Sequence, residues 1–370
     1  MKVRTVFVSV VALATTTALA ACSPPSDDNS SSSDAASATS VADFGSMDDL
    51  VKAAQDEGEL NVIALPPDWA NYGNIIKAFE DKYDITVNSD QPDAASQDEI
   101  NAAKQLEGTD RAPDVFDLGQ SVALANTDLF APYQVSTWAD IPDEFKDPEG
   151  TWVNDYGGYM SVGYDSSKVP DVTSLDDLLG SEFKGKVALN GDPTQAGAAF
   201  SGVVMASVAN GGSADDIAPG VDYFKKLKDA GNFIPVDPTS ATIESGQTPV
   251  VIDWDYLNAA ESAKLDNWKV YVPKEAPIAG YYFQAISTDA PHPAAARLWE
   301  EFLYSDEGQN LWLGGGARPV RADAMVKAGT IDKAEYDALP EVSGKPVIPT
   351  NAQTEKMAAY LADNWAKAVG

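Results

Sequence analysis

An α/β body folded as two lobes is what this sequence predicts, on three observations. Short apolar runs alternate with amphipathic helical segments. The alternation occurs in two separate blocks, at Met47–Leu118 and again from about Tyr159 to Tyr282. The ordered part, from about Phe44 to Gly370, spans roughly 330 residues, more than one hydrophobic core usually supports. In the first block an amphipathic helix runs from Met47 to Glu57 and stops at Gly58. The strand Leu60–Leu65 follows and is broken by Pro66 and Pro67. A helix over Asn74–Tyr83 places Ile75, Ile76 and Phe79 on one face. A strand at Ile85–Val87, a helix at Ser96–Leu106 and a strand at Asp114–Leu118 complete a βαβαβ rhythm, which argues a mainly parallel sheet. The second block has strands at Lys186–Leu189, Pro249–Ile252 and Lys269–Val272, with helical stretches at Thr194–Ala209 and Pro219–Ala230. No internal repeat is evident, and the body has no apolar run of membrane-spanning length.

The N-terminus carries an export address. Lys2 and Arg4 precede an apolar run from Val6 to Leu19, which ends in Leu19-Ala20-Ala21-Cys22. This resembles a lipoprotein signal peptide with its lipobox, implying cleavage after residue 21 and lipidation of Cys22. Each buried acyl methylene adds about 0.8 kcal/mol, so two or three chains anchor a protein stably. Residues 22–43 are polar, Ser-rich and without apolar periodicity, and read as a disordered tether. The expected location is the outer face of the cell membrane (or its periplasmic side), with lipid as the only membrane contact.

Charge and composition exclude several classes. The chain has 57 acidic and 25 basic residues, a formal charge of −32. Such a surface repels nucleic acid and anionic lipid headgroups. One cysteine allows no intramolecular disulfide, and one histidine removes most zinc sites and nucleophilic triads. No cofactor or metal is expected. His292, in Asp289-Ala290-Pro291-His292-Pro293, is read as a surface turn.

In α/β lobes, ligands gather at loops beyond the carboxyl ends of strands. These are Pro66–Tyr72, with Trp69 and Tyr72, and the segment opened by Gly119-Gln120-Ser121. The rings of Trp69 and Tyr72 face a cleft or cover the lobe-1 core. Asp253-Trp254-Asp255-Tyr256 directly follows a buried strand. Two Asp residues two apart on an extended strand share a side, suited to one ammonium group or to acid/base work. Asp192-Pro193-Thr194-Gln195 opens a helix, and Asp192 is an N-cap, a ligand residue or both. The same helix N-terminus, assisted by Arg318, could hold a phosphate or carboxylate. Tyr281 and Tyr282 lie near a return crossing, where either reaches a cleft or packs in the core.

The order of motifs resembles bacterial extracellular solute-binding proteins of ABC importers, in the group that includes spermidine/putrescine-, thiamine- and ferric-ion-binding proteins. Glu59–Val62 leads to Asp68–Tyr72, Phe79–Tyr83 and Ile85–Val87, similar to the first strand, ligand loop and helix. Ala112–Val115 resembles the third-strand motif, Tyr156–Tyr159 with Ser161–Tyr164 the first hinge crossing, and Phe183–Val187 the entry to the second lobe. Glu301–Leu303, Ser305, Gly308-Gln309 and Arg318–Arg321 resemble the closing helix and loop. The resemblance implies a type II periplasmic-binding-protein fold, with lobe 1 at 44–158 and 285–325 and lobe 2 at 159–284 and 326–370. It also implies hinge closure on a small solute, delivery to an ABC permease and its ATPase, and no catalysis. A monomer is expected. By the same resemblance Trp254 packs on an alkyl chain and Asp192 binds an ammonium. Gln195 and Tyr282 stand where polyamine binders carry acids, and only Tyr256 matches the tyrosine pair of ferric binders. The expected cargo is a polyamine-like or other amine-bearing metabolite. A phosphonate or phosphorylated solute is the alternative, and a secreted carboxylate-dependent hydrolase using Asp253 and Asp255 the enzyme reading.

Overall fold

The computed structural model describes residues 35–339, 342 and 346–370. The expected signal peptide and the expected lipidation site Cys22 lie outside the described residues. In lobe 1, β1 (Glu59–Ile63) pairs in parallel with β2 (Thr86–Asp90). Asp114 ties β1 to β3 (Val115–Leu118): its N–H donates to the Asn61 carbonyl and its carboxylate accepts the Asn61 N–H. After β4 (Phe130–Ala131) the chain enters β5 (Val153–Asp165). The N-terminal part of β5 belongs to lobe 1. Its residues from Met160 onward lie between β7 (Val250–Trp254) and β8 (Trp268–Tyr271) of lobe 2, where β6 (Val187–Leu189) extends β7 in parallel. β9 (Ala279–Ser287) returns the chain, running antiparallel to both β5 and β3, and β10 (Arg318–Pro319) edges β5. These crossings explain a difference from the expected mainly parallel sheet. A strand arriving from the other lobe enters against the direction of its neighbours, so the parallel pairs β1–β2 and β6–β7 stand beside antiparallel ones.

The element boundaries shift for local reasons. β7 continues through Asp253 and Trp254, and a helix starts at Asp255 and ends at Ser262. The helix expected from Thr194 starts at Gly197, because Asp192 closes a turn by accepting the Ala196 N–H at its carbonyl.

Lobe 1 is built around an aromatic cluster in which Phe79 packs on Trp299 and Phe302 at 5.1 and 5.6 Å. Burying each such ring stabilises by about 1.5–3 kcal/mol. The helix Pro293–Leu303 has proline in its first turn, and the Glu57 carboxylate accepts the N–H groups of Ala294 and Ala295. His292, expected on the surface, is instead buried, with Nδ1 2.9 Å from Asp114 and Nε2 3.6 Å from Glu59. Burial lowers its pKa, but the Asp114 bond and the charges of Asp114, Glu59 and Glu57 outweigh this and raise it.

Two stretches fall elsewhere than expected. Residues 35–43, assigned to the tether, dock on lobe 1. Arg297 donates to the carbonyls of Ala36 and Ala38, and the Thr39 carbonyl accepts the Gln134 N–H. Residues 326–338, assigned to lobe 2, pack beside the helix Asp306–Gly314 of lobe 1, where Asn310 bonds Thr330 and Asp332. The C-terminal helix Asn351–Val369 rests on both lobes, against the short helix Gln120–Leu124 and against Ala218–Asp229.

Candidate functional site

Between the lobes lies a cavity of about 510 Å³. Lobe 1 lines it with the loop after β1 (Pro66, Asp68, Trp69), the loop Pro92–Ala95, Ser96 and Glu99 of the next helix, and Asp117 of β3. Lobe 2 supplies Asn190 and Gly191, Ala196 to Ala198, Asp237 to Ala241 with Ile243, Asp253, and Leu257, Asn258, Ala260 and Glu261, and Tyr282 of the crossing strand β9 closes the back. Its ionisable lining is Asp68, Asp93, Glu99, Asp117, Asp237, Asp253 and Glu261; among the described residues no lysine or arginine lines it.

The lobe-1 wall is anchored in a buried network. Asp117 Oδ2 accepts the hydroxyls of Tyr72 at 2.7 Å and Tyr156 at 3.0 Å. Tyr156 in turn accepts the Trp69 indole N–H at 2.7 Å, and Gln284 donates to Tyr72 and Asp155. The Asp117 N–H donates to Glu99. Burial pushes Asp117 up to about 7 against the pull of the two phenols. Burial and the neighbouring Asp117 charge push Glu99 well above the usual carboxylate range.

On the lobe-2 wall Asp253 accepts the Asn190 amide at 2.8 Å and the Trp254 N–H. Burial pushes it, too, up to about 7. At the mouth, the Ser240 hydroxyl lies within bonding reach of Asp68 on lobe 1 and Glu261 on lobe 2, and Lys264 donates to Ser240 and Glu261. Deeper in, the two backbones approach closely at Gly119 and Gly197. A Cβ on Gly119 would fall 2.6 Å from Gly197 Cα, so both positions require glycine for this approach.

Of the residues expected to bind ligand, Trp69, Asp253 and Tyr282 line the cavity. Tyr72 and Trp254 do not line it: Tyr72 is wholly buried beneath Asp117, and Trp254 stacks on Tyr256 with its indole N–H 3.4 Å from the Tyr282 hydroxyl. Tyr256 is buried among aromatic rings. Asp255 does not share a side with Asp253, because the chain turns from strand to helix between them. It accepts the Tyr159 N–H and lies 3.6 Å from Arg318. Asp192 is exposed outside the cavity and spends its carboxylate on the N–H and hydroxyl of Thr194. Thr194 and Gln195 are exposed beside it. Gln120 bonds Pro349 and Asn351, and Ser121 likewise is not part of the lining.

Sequence reasoning missed Glu99, Asp117 and Glu261. Asp117 had a signal, a lone acid inside the apolar run Val115–Leu118. Glu261 had a weaker one, since it shares a helix face with Leu257 and Asn258.

The fold and this cleft define a two-lobed binding protein. The chain belongs to the bacterial extracellular solute-binding proteins, whose family model matches residues 113–342. Among solved structures it is similar to a putative spermidine/putrescine ABC transporter protein from Listeria monocytogenes, at 14% identity and a TM-score of 0.64, covering 84% of this chain and 98% of that one. It is similar to the ferric binding protein from Campylobacter jejuni, at 18% identity and a TM-score of 0.62, covering 84% and 99%. The periplasmic binding protein AfuA from Actinobacillus pleuropneumoniae, with fructose-6-phosphate bound, gives 18% identity and a TM-score of 0.61, covering 83% and 99%. No curated protein sequence matches this chain. Family and fold make it an exported substrate-binding protein of an ABC transporter, whose neighbours are transport proteins rather than enzymes.

Proposed function

We propose that this chain captures an amine-bearing, cationic small solute, polyamine-like in chemistry, and delivers it to its permease as a lipid-anchored monomer. One observation carries the choice of solute: the cavity is lined by carboxylates and two aromatic rings, with no lysine or arginine among the described lining residues. Carboxylates removed from water favour a cationic partner, and aromatic faces add up to about 2 kcal/mol for a desolvated ammonium. A phosphonate or phosphorylated solute has only the N-terminus of the helix Gly197–Ala209 in its favour, and the surrounding acids repel it. The hydrolase reading loses its pair, since Asp255 faces Arg318 behind the cavity wall.

The deciding experiment is a thermal-shift screen of the soluble chain from Ser23 against amines, phosphonates, sugar phosphates and ferric citrate. A ligand at 100 times its Kd stabilises by about 2.7 kcal/mol. Amines are expected to raise the Tm, and a shift by phosphorylated solutes alone would overturn the reading. For the anchor, Cys22→Ala is expected to release the protein from the membrane fraction, checked by fractionation.

A further inference from the structure

The geometry points to a latch across the cleft mouth: Ser240 and Lys264 of lobe 2 engage Asp68 of lobe 1 and hold the lobes together by the protein's own side chains. The Ser240 hydroxyl lies 2.9 Å from Asp68 Oδ2 and within bonding reach of Glu261 Oε1. The Lys264 ammonium is 2.9 Å from Ser240, 3.0 Å from Glu261 and 3.8 Å from Asp68. A serine has one proton for two carboxylates, and the ammonium faces both, so neither acid depends on the serine alone. The Asp68 and Lys264 side chains are 60% and 38% exposed, and Lys264 is not part of the cavity lining. The latch thus sits at the rim, outside the buried walls.

Each member is positioned by its own lobe. The loop carrying Asp68 is closed by the Trp69 N–H on the Pro66 carbonyl and the Gly73 N–H on the Pro67 carbonyl, and the Trp69 indole pins it to Tyr156. Ser240 opens the helix Ser240–Glu244, whose cap is made reciprocally by Thr239 and Thr242, which leaves the Ser240 hydroxyl for the other lobe. Lys264 follows the helix Asp255–Ser262, and its N–H donates to the Glu261 carbonyl. An isolated exposed ion pair loses most of its worth to the ordering of long side chains, and a network of pre-positioned groups loses less. The acids of the two walls repel across an empty cleft. A bond made only when the lobes meet opposes that repulsion whatever the cargo. It raises affinity for every solute by one factor and leaves the choice among solutes to the walls.

The test needs no cargo. Spin labels at Lys77→Cys on lobe 1 and Lys225→Cys on lobe 2, both exposed helical positions, are introduced into the Cys22→Ala chain. Pulsed dipolar spectroscopy then reads the interlobe distance and the closed-to-open ratio. The empty labelled chain is expected to show a closed population, and Ser240→Ala and Lys264→Met each to lower the ratio about fivefold. Asp68→Ala is expected to lower it as much, and Asp68→Ala with Ser240→Ala no further than either alone. Ser240→Thr, which keeps the hydroxyl, is expected to preserve the ratio. Circular dichroism checks that each variant folds. Unchanged ratios in Ser240→Ala and Lys264→Met overturn the latch, as does an empty chain that is open throughout. Additive losses in the double variant also overturn it, since they would mean that Asp68 and Ser240 act separately.

Discussion

The two walls of the cleft carry the same charge on different foundations. On lobe 1, Asp117 is fixed by Tyr72 and Tyr156, which are themselves braced by Gln284 and Trp69, and most of these groups are buried. On lobe 2, the Asp253 carboxylate holds, among the described residues, Asn190 and a backbone N–H, and Glu261 leans on Ser240 and Lys264 at the solvent edge. The difference teaches that one wall is part of its lobe's core, whereas the other is a set of side chains mounted on a strand end and a short helix. Changes of cargo between related receptors are cheaper on the second wall, because altering it leaves fewer buried groups without partners.

The sharpest break in this comparison is Asp117→Ala against Asp253→Ala. The first leaves two buried phenols without an acceptor and is expected to cost about 2–4 kcal/mol of stability as well as cargo binding. The second is expected to lose binding while stability falls by about 1 kcal/mol or less. Paired calorimetric melts and titrations measure both, and equal stability losses would erase the distinction. Next in size is Gly119→Ala, which sets a methyl against the Gly197 backbone. It should hold the lobes apart, weaken cargo binding roughly tenfold and leave the ligand-free melt unchanged. Small-angle scattering would show no compaction on adding cargo. Trp69→Phe removes the indole donor to Tyr156 and is expected to cost about 1 kcal/mol in the melt.

The smallest effect is on pH. Asp117 and Asp253 have folded pKa values raised to about 7, above the ordinary value of 3.8. Their contribution to stability is therefore fully present below about pH 4 and is lost as pH rises through about 7. The ligand-free Tm should fall between pH 5 and pH 8. Affinity for an amine should move the other way, rising over the same range, because protons compete with it for these carboxylates. A Tm that climbs with pH would mean that both acids are ionised in the empty cleft.

Much of the fold was legible because period and punctuation agreed. Gly58 stops the first helix with a left-handed φ of 77°, and the first strand ends at Ile63, just before Pro66-Pro67, where the cavity begins. The loop after that strand yielded Trp69 for the same reason. The acids of the site were harder. Asp117 was hidden in a run that reads as core, and it is core as well as wall. Glu99 stands on an amphipathic helix whose cleft face and core face look alike in one dimension. Asp192 misled because a turn-closing Asp and a ligand-binding Asp have the same local sequence, and here the Thr194 contacts decide for the turn.

The docking of residues 35–39 has a mechanical consequence. Arg297 and Gln134 clasp the incoming chain to lobe 1. On the proposed anchorage at Cys22 the molecule would hang by lobe 1, and closing on cargo would swing lobe 2 relative to lobe 1. The permease would meet one stationary footing and one travelling one, and the position of the second would report whether the receptor is loaded.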